Sequence, residues 1–456
     1  MLYEYTLSFC TDWFIVSNYM QGIANDILII ILFLLLVISI VSFTIIEKKM
    51  YKTYLSPFNL FAVPYMFIIP YQILATNIYD MQNITAPYLF YILIYLISFF
   101  FVGTLSLNFF KLYLSGDKKS IPSTRSTLAR QYFAFNKERS FFILEYLFII
   151  LSTYLISKFI LDALAAPNIF YIVQEEFQEE DSSGLGFFFR LMCMIGSAYF
   201  WGQATMKRKK YFLLGLYCFI PNFLTFVKGV IFLIILSGII SNALINKSKI
   251  KITHLFQAGI IGIAIFFLVY LIETSIYNIR LLFSAETYEN IYFKLQTYIL
   301  SGVQSFNVNI SNFPYKYYDL DNVVYAPLMN LLAKFGLADR IDTITKITVN
   351  IGAITEQGSS DVNTLTHVGT LVLYCGPLLG MIINCCIAVI MYYFFWKAQD
   401  GYAQLYKIRY SLLVTGLVLS WFEYYYMHTF WFYLIAYFFV IDFLARCFRS
   451  VARTGA

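Results

Sequence analysis

Eleven apolar runs dominate this chain, and no soluble fold can absorb them. They lie near residues 27–46, 57–76, 87–110, 141–160, 186–205, 211–227, 229–246, 255–275, 367–396, 410–427 and 429–446. A helix needs about 20 apolar residues to cross the hydrocarbon core of a bilayer. Only 13% of the 456 residues are charged, against roughly a quarter in a soluble domain. The chain therefore lacks the polar skin that water demands. The expected fold class is an all-α polytopic membrane protein with about 11 (11–12) transmembrane helices. The sixth and seventh runs meet at Lys228-Gly229, which predicts a tight turn.

The connections between the runs carry the charge in an alternating pattern. Lys48, Lys49 and Lys52 follow the first run. Lys111, Lys118, Lys119, Arg125, Arg130, Lys137 and Arg139 follow the third. Lys207, Arg208, Lys209 and Lys210 follow the fifth, and Lys247, Lys249 and Lys251 the seventh. Lys397, Lys407 and Arg409 follow the ninth, and Arg446, Arg449 and Arg453 close the chain. These connections hold 23 of the 32 basic residues and only five of the 26 acids, Glu47, Asp117, Glu138, Asp400 and Asp442. Cytoplasmic loops carry the excess of Lys and Arg, so the pattern predicts a cytoplasmic C-terminus and a periplasmic N-terminus. The count becomes twelve, with the N-terminus inside, if residues 3–20 also enter the bilayer. Ser8, Thr11, Asp12, Ser17 and Asn18 argue against that. The first 26 residues have no basic n-region or small-residue cleavage site, so no cleavable leader is expected. The net charge of +6 is explained as a topology signal, and no nucleic-acid partner is expected.

Two outer connections are long. Residues 161–185 carry the acidic run Glu175, Glu176, Glu179, Glu180 and Asp181, read as a solvated loop. Residues 276–366 form the larger one. Helical spacing in 286–300 and 326–347, broken by Pro314 and Pro327, predicts short helices lying along the outer membrane face. The expected organisation is an N-terminal membrane region 1–275 (spans 1–8), a periplasmic loop 276–366, and a C-terminal membrane region 367–456 (spans 9–11) with a cytoplasmic tail. The seven cysteines show no C-x-x-C spacing, so neither a disulfide framework nor a metal site is expected.

Four stretches within this arrangement resemble the bacterial O-antigen polymerase family, the oligosaccharide repeat-unit polymerases. They are Ser56-Pro57-Phe58-Asn59-Leu60-Phe61, Phe226-Val227-Lys228-Gly229, Tyr298-Ile299-Leu300-Ser301-Gly302 with Phe306, and Asn363-Thr364-Leu365-Thr366-His367-Val368-Gly369 with Gly376 and Gly380. Relatives often carry an Asp-Phe-Gly-like element at the start of span nine. Here Tyr374-Cys375-Gly376 stands there, and only the Gly matches. The resemblance implies an enzyme of the polytopic, lipid-donor glycosyltransferase class in the bacterial inner membrane. Such an enzyme joins undecaprenyl-pyrophosphate-linked oligosaccharide units into O-antigen or capsular polysaccharide at the periplasmic face. No cofactor and no metal are implied. The implied partners are the lipid-linked oligosaccharide, membrane lipids, and a chain-length regulator and flippase of the same pathway. Two alternatives stay open, a lipid-linked oligosaccharide flippase and an O-antigen ligase. The long outer loop and the lack of a visible half-to-half repeat weigh against a transporter.

The implied chemistry needs cations at a leaving pyrophosphate and a base at the acceptor hydroxyl. Candidates for the pyrophosphate are Arg280, Lys228, Arg190 and Arg340; candidates for catalysis are His367, Glu423 and Glu273. A charge at membrane depth costs about 2.5–3.5 kcal/mol on insertion scales and usually serves a purpose. Snorkelling to the headgroups is the competing explanation for the cations. Arg340 has Asp339 and Asp342 as alternative neighbours, and Glu273 precedes Arg280 by seven residues. His367 is expected where the loop re-enters the membrane, and Glu423 near the outer face amid Tyr424, Tyr425 and Tyr426. Glu145 is the same type of residue nearer the cytoplasm. Glu356 and Asp361 are further bases on the loop, and Tyr317, Tyr318 and Tyr325 further sugar-stacking rings.

Overall fold

The structure is a computed structural model. It describes residues 2–78, 81–114, 144–164, 185–205, 208–225, 227–246, 262–272, 284–311, 326–333, 336–339, 349–355, 358–362, 364–399, 404–427, 431, 434–435 and 437–440. In chain order the helices are α1 (Leu2–Tyr51), α2 (Pro57–Ile78) and α3 (Ala86–Tyr113), then α4 (Leu144–Leu164). They continue with α5 (Leu185–Gln203), α6 (Lys209–Phe223) and α7 (Lys228–Ile245), and α8 (Gly262–Ile272). Then come α9 (Ala285–Ile310) and α10 (Ala326–Ala333). An antiparallel hairpin follows, β1 (Val349–Thr355) and β2 (Gly358–Val362), pairing Val349 with Val362 and Asn350 with Asp361. The chain resumes with α11 (His367–Cys375), α12 (Pro377–Gln399), α13 (Gln404–Val418) and a 3₁₀ turn at Tyr425–Met427.

The chain is a predominantly helical membrane protein. Among the described residues six helices are long and apolar enough to cross a bilayer: Ala24–Tyr51, Pro57–Thr76, Ala86–Tyr113, Leu144–Leu164, Lys228–Ile245 and Pro377–Gln399. Their packing follows membrane rules, with small residues receiving large ones. Trp201 of α5 lies between Gly215 of α6 and Gly238 of α7, and Tyr392 of α12 fills the space beside Gly103 of α3. Pro64 and Pro70 stand inside α2, as the packed helices of a bilayer permit.

The basic helix ends gather at one end of the bundle. Lys111 lies 5.1 Å from the ring centre of Tyr51, and Tyr51 meets Phe395 edge-on at 5.5 Å. Phe110 stacks on Trp396, over which Lys397 sits at 4.2 Å. The Tyr410 hydroxyl donates to the Leu55 carbonyl, and Lys407 donates to the Leu244 carbonyl at 2.9 Å. Asn242 then ties the end of α7 to the Trp201 and Ala204 carbonyls, at 2.8 Å each. Buried beside this end, the Glu47 carboxylate accepts from the Tyr392 hydroxyl.

Three sequence expectations change. The predicted ninth span, 367–396, is two helices. Gly376 has φ 77° and ψ 159°, a conformation open essentially to glycine alone. Pro377 supplies no N–H to carry the helix through. The predicted tenth span, 410–427, stops being helical at Val418. In the 276–366 connection the predicted helix over 326–347 ends at Ala333, and the hairpin over 349–362 lies beyond both predicted helices. Helix α9 covers the predicted segment 286–300 and runs on ten residues further, and that added half from Leu300 to Ile310 is almost wholly buried.

That burial has a polar cause. Gln304 accepts from the Gln72 amide at 2.6 Å and donates to the Gln82 carbonyl at 2.8 Å. The Tyr88 hydroxyl donates to Gln72 at 2.8 Å. Asn307 donates to the Asn83 carbonyl at 3.0 Å and accepts from the Thr85 backbone N–H at 2.9 Å. Side-chain amides thus saturate the backbone of 82–85, where a turn would otherwise present unpaired groups.

Candidate functional site

The helix interruptions converge. The N–H of His367, first residue of α11, donates to the Ser420 carbonyl at 2.7 Å, and the Tyr65 hydroxyl donates to the same carbonyl at 3.2 Å. The non-helical stretch after Val418 is therefore held by α2 and α11. Gly302 of α9 closes it from a third side: a Cβ there would collide with the Phe422 carbonyl. Tyr298, one turn earlier, stacks on Phe422 with centroids 5.4 Å apart.

His367 sits deeper than expected. It is 1% exposed, ringed by Phe61, Tyr424 and Tyr426 with centroids 5.2, 5.0 and 6.2 Å away. Its Nε2 lies 3.1 Å from Asn384 Oδ1. Asn384 spends its Nδ2 on the Tyr95 carbonyl at 2.9 Å, so its oxygen faces the imidazole and fixes the proton on Nε2. The Thr366 hydroxyl caps α11 by accepting from Gly369 N at 2.8 Å. His367 joins α11, α12 and the 419–427 stretch, which suits a positioning residue.

The charged groups lie at the site's outer edge, at the end of the bundle opposite the basic one. Lys228 opens α7, whose other end meets Lys407; 18 residues of helix separate the two, roughly 27 Å. Its Nζ lies 4.0 Å from the ring centre of Tyr270 in α8, and Lys294 of α9 lies 4.7 Å from the same centre. A tyrosine face holds a cation by its quadrupole, so one ring collects two ammonium groups from two helices. Next to Lys228, a Cβ on Gly229 would lie 3.0 Å from the Tyr425 hydroxyl. That contact brings α7 against the stretch that carries Glu423, which is 8% exposed.

Of the sequence candidates, Lys228 and Glu423 thus come to one neighbourhood. Arg190, 8% exposed, shares that end, because its carbonyl accepts from Asn222 at 3.2 Å just before the turn into α7. Glu145 lies at the basic end, where the Tyr199 hydroxyl donates to it at 3.0 Å. Asp361 pairs with Asn350 in the hairpin. Glu273, Arg280, Arg340, Glu356, Tyr317, Tyr318 and Tyr325 lie outside the described residues, as does Asp319-Leu320-Asp321, an Asp-x-Asp triplet that sequence reasoning passed over. Sequence reasoning gave Lys294 and Tyr270 no special place, and Tyr298 one only within the Tyr298–Gly302 stretch that carries the resemblance. Lys294 and Tyr298 are i and i+4 on one helix face, the one signal that pairs them.

Residues 84–450 match a family of unknown function, DUF6337. The chain belongs to that family. No curated protein and no solved structure matches it. The match begins at the Asn83–Thr85 turn that α9 holds and runs past the 419–427 stretch, so every interruption described above lies within the DUF6337 region.

Proposed function

We propose that this DUF6337 member is a polysaccharide polymerase of the bacterial inner membrane, joining polyprenyl-pyrophosphate-linked oligosaccharide units outside the cytoplasm. In this reading the chain spans the bilayer eleven times, with the C-terminus and the basic helix ends in the cytoplasm. The observation that carries the reading is the placement of Lys228 and Lys294 on one Tyr270 ring, at the end away from the basic cluster. Two ammonium groups at a membrane boundary suit the pyrophosphate of a lipid-linked donor. The acceptor hydroxyl attacks the anomeric carbon of the donor sugar. The bond from that carbon to the pyrophosphate oxygen breaks, and polyprenyl pyrophosphate leaves with its charge held by Lys228, Lys294 and Arg190. The hydroxyl proton passes to Glu423. His367 keeps the 419–427 stretch in place.

Interrupted helices at membrane depth also favour a second reading, a flippase for the same lipid-linked oligosaccharide. Reconstitution separates the two. Purified protein in liposomes with lipid-linked repeat units, and no nucleotide sugar, yields a ladder of polymer if it is the polymerase. Movement of the lipid-linked unit without polymer identifies the flippase. In the native host, deletion should abolish the lipopolysaccharide or capsule ladder and leave core with a single unit.

A further inference from the structure

A groove of about 680 Å³ runs between α1 and α2 at the basic end. Val41 and Ile45 of α1 and Val63 and Met66 of α2 form its apolar walls. Lys48, Lys49, Lys52 and Tyr54 form its rim, and all four are exposed. Lys48 contacts the Tyr54 hydroxyl, with its Nζ 4.3 Å from that ring's centre. Lys49 and Lys52 have no anionic partner among the described residues.

Lys52 adds an independent observation. Its φ is 57°, the left-handed region that a side chain with a Cβ seldom adopts. Its N–H returns to the Lys48 carbonyl at 3.0 Å and ends the helix. That is a helix-terminal position at which glycine is the usual solution. A lysine kept there at a conformational cost directs a third cation to the same rim.

We infer that this groove binds one anionic phospholipid, its phosphate among Lys48, Lys49 and Lys52 and the start of its acyl chains along Val41, Ile45, Val63 and Met66. Charge complementarity and the join of a basic rim to an apolar wall select a lipid over a soluble anion. Basic pockets between membrane helices bind such headgroups through the same two features. The site is independent of the polymerase reading, since it lies at the other end of the bundle.

The test uses full-length protein in detergent, titrated with phosphatidylglycerol or phosphatidylethanolamine and read by native mass spectrometry. One phosphatidylglycerol should be retained preferentially, and the triple variant K48A/K49A/K52A should retain it at least about tenfold less. Lys52→Gly separates binding from folding. It should melt at or above the wild-type temperature and still hold the lipid less well. Met66→Trp, which fills the apolar wall with every lysine intact, should also weaken retention. Equal retention of both lipids, undiminished binding in the triple variant, or displacement of the lipid by millimolar inorganic phosphate would each overturn the proposal.

Discussion

The two ends of the bundle handle polarity in opposite ways. At the Lys111 end the helices run on to Tyr51, Tyr113 and Gln399, and the lysines stay at the tips while Glu47 and Arg409 are buried beneath them. Lys111 and Lys397 lie over aromatic rings. At the Lys228 end the helices stop short. All nine residues of α11 are buried, and α13 ends at Val418. There the polar groups are amides inside the protein, Gln72, Gln304, Asn307 and Asn384 among them. Irregular backbone is tolerated at membrane depth only where protein rather than lipid surrounds it. That surround is assembled at the Lys228 end, which is where the proposed site lies.

The contrast can be broken experimentally. Replacing Lys228 and Lys294 together by Ala should lower polymer yield by about a hundredfold or more, the scale of losing preorganised stabilisation of a leaving group. The thermal melt should hardly move. Normal ladders at normal protein levels would remove this pair from the site. Gly302→Ala, by contrast, should cost about 1–3 kcal/mol of stability, read as a lower melting temperature in detergent, because the new methyl meets backbone rather than a mobile side chain. Asn307→Leu should cost about 1–3 kcal/mol by stranding the Asn83 carbonyl and the Thr85 N–H. His367→Ala should lower stability similarly, while activity per folded molecule falls less than in the lysine pair. A lysine-sized activity loss with an unchanged melt would instead make His367 catalytic. At the basic end, Lys111→Ala should change stability by less than about 1 kcal/mol, read as a small shift of the melting temperature, as expected for an exposed cation over a ring.

The long continuous helices were legible. Predicted spans at 27–46, 57–76 and 87–110 fall inside α1, α2 and α3, because hydropathy alone decides such segments. The Gly376 break was legible too, since Gly-Pro punctuates helices, yet the apolar run across it invited a single span. The end of α13 carries no such sign. Leu419 to Tyr426 holds neither Gly nor Pro, and its path depends on Gly302 and His367, which are remote in sequence. The buried half of α9 lies beyond the predicted segment 286–300. Gln304 and Asn307 are polar residues on an interior face, and only the carbonyls at 82–83 reveal why they are inside. The hairpin's first strand carries the β-branched Val349, Ile351 and Ile354, a composition that favours strand.

Helix α9 carries Lys294 in one half and the Gln304–Asn307 anchor in the other, with no Pro between them and Gly302 pressed against backbone. Over roughly 39 Å of unbroken helix it acts as a lever with its fulcrum in the protein interior. Lys294 and the stretch around Phe422 are thus held by one rigid element, with Tyr298 stacked on Phe422 one turn from the lysine.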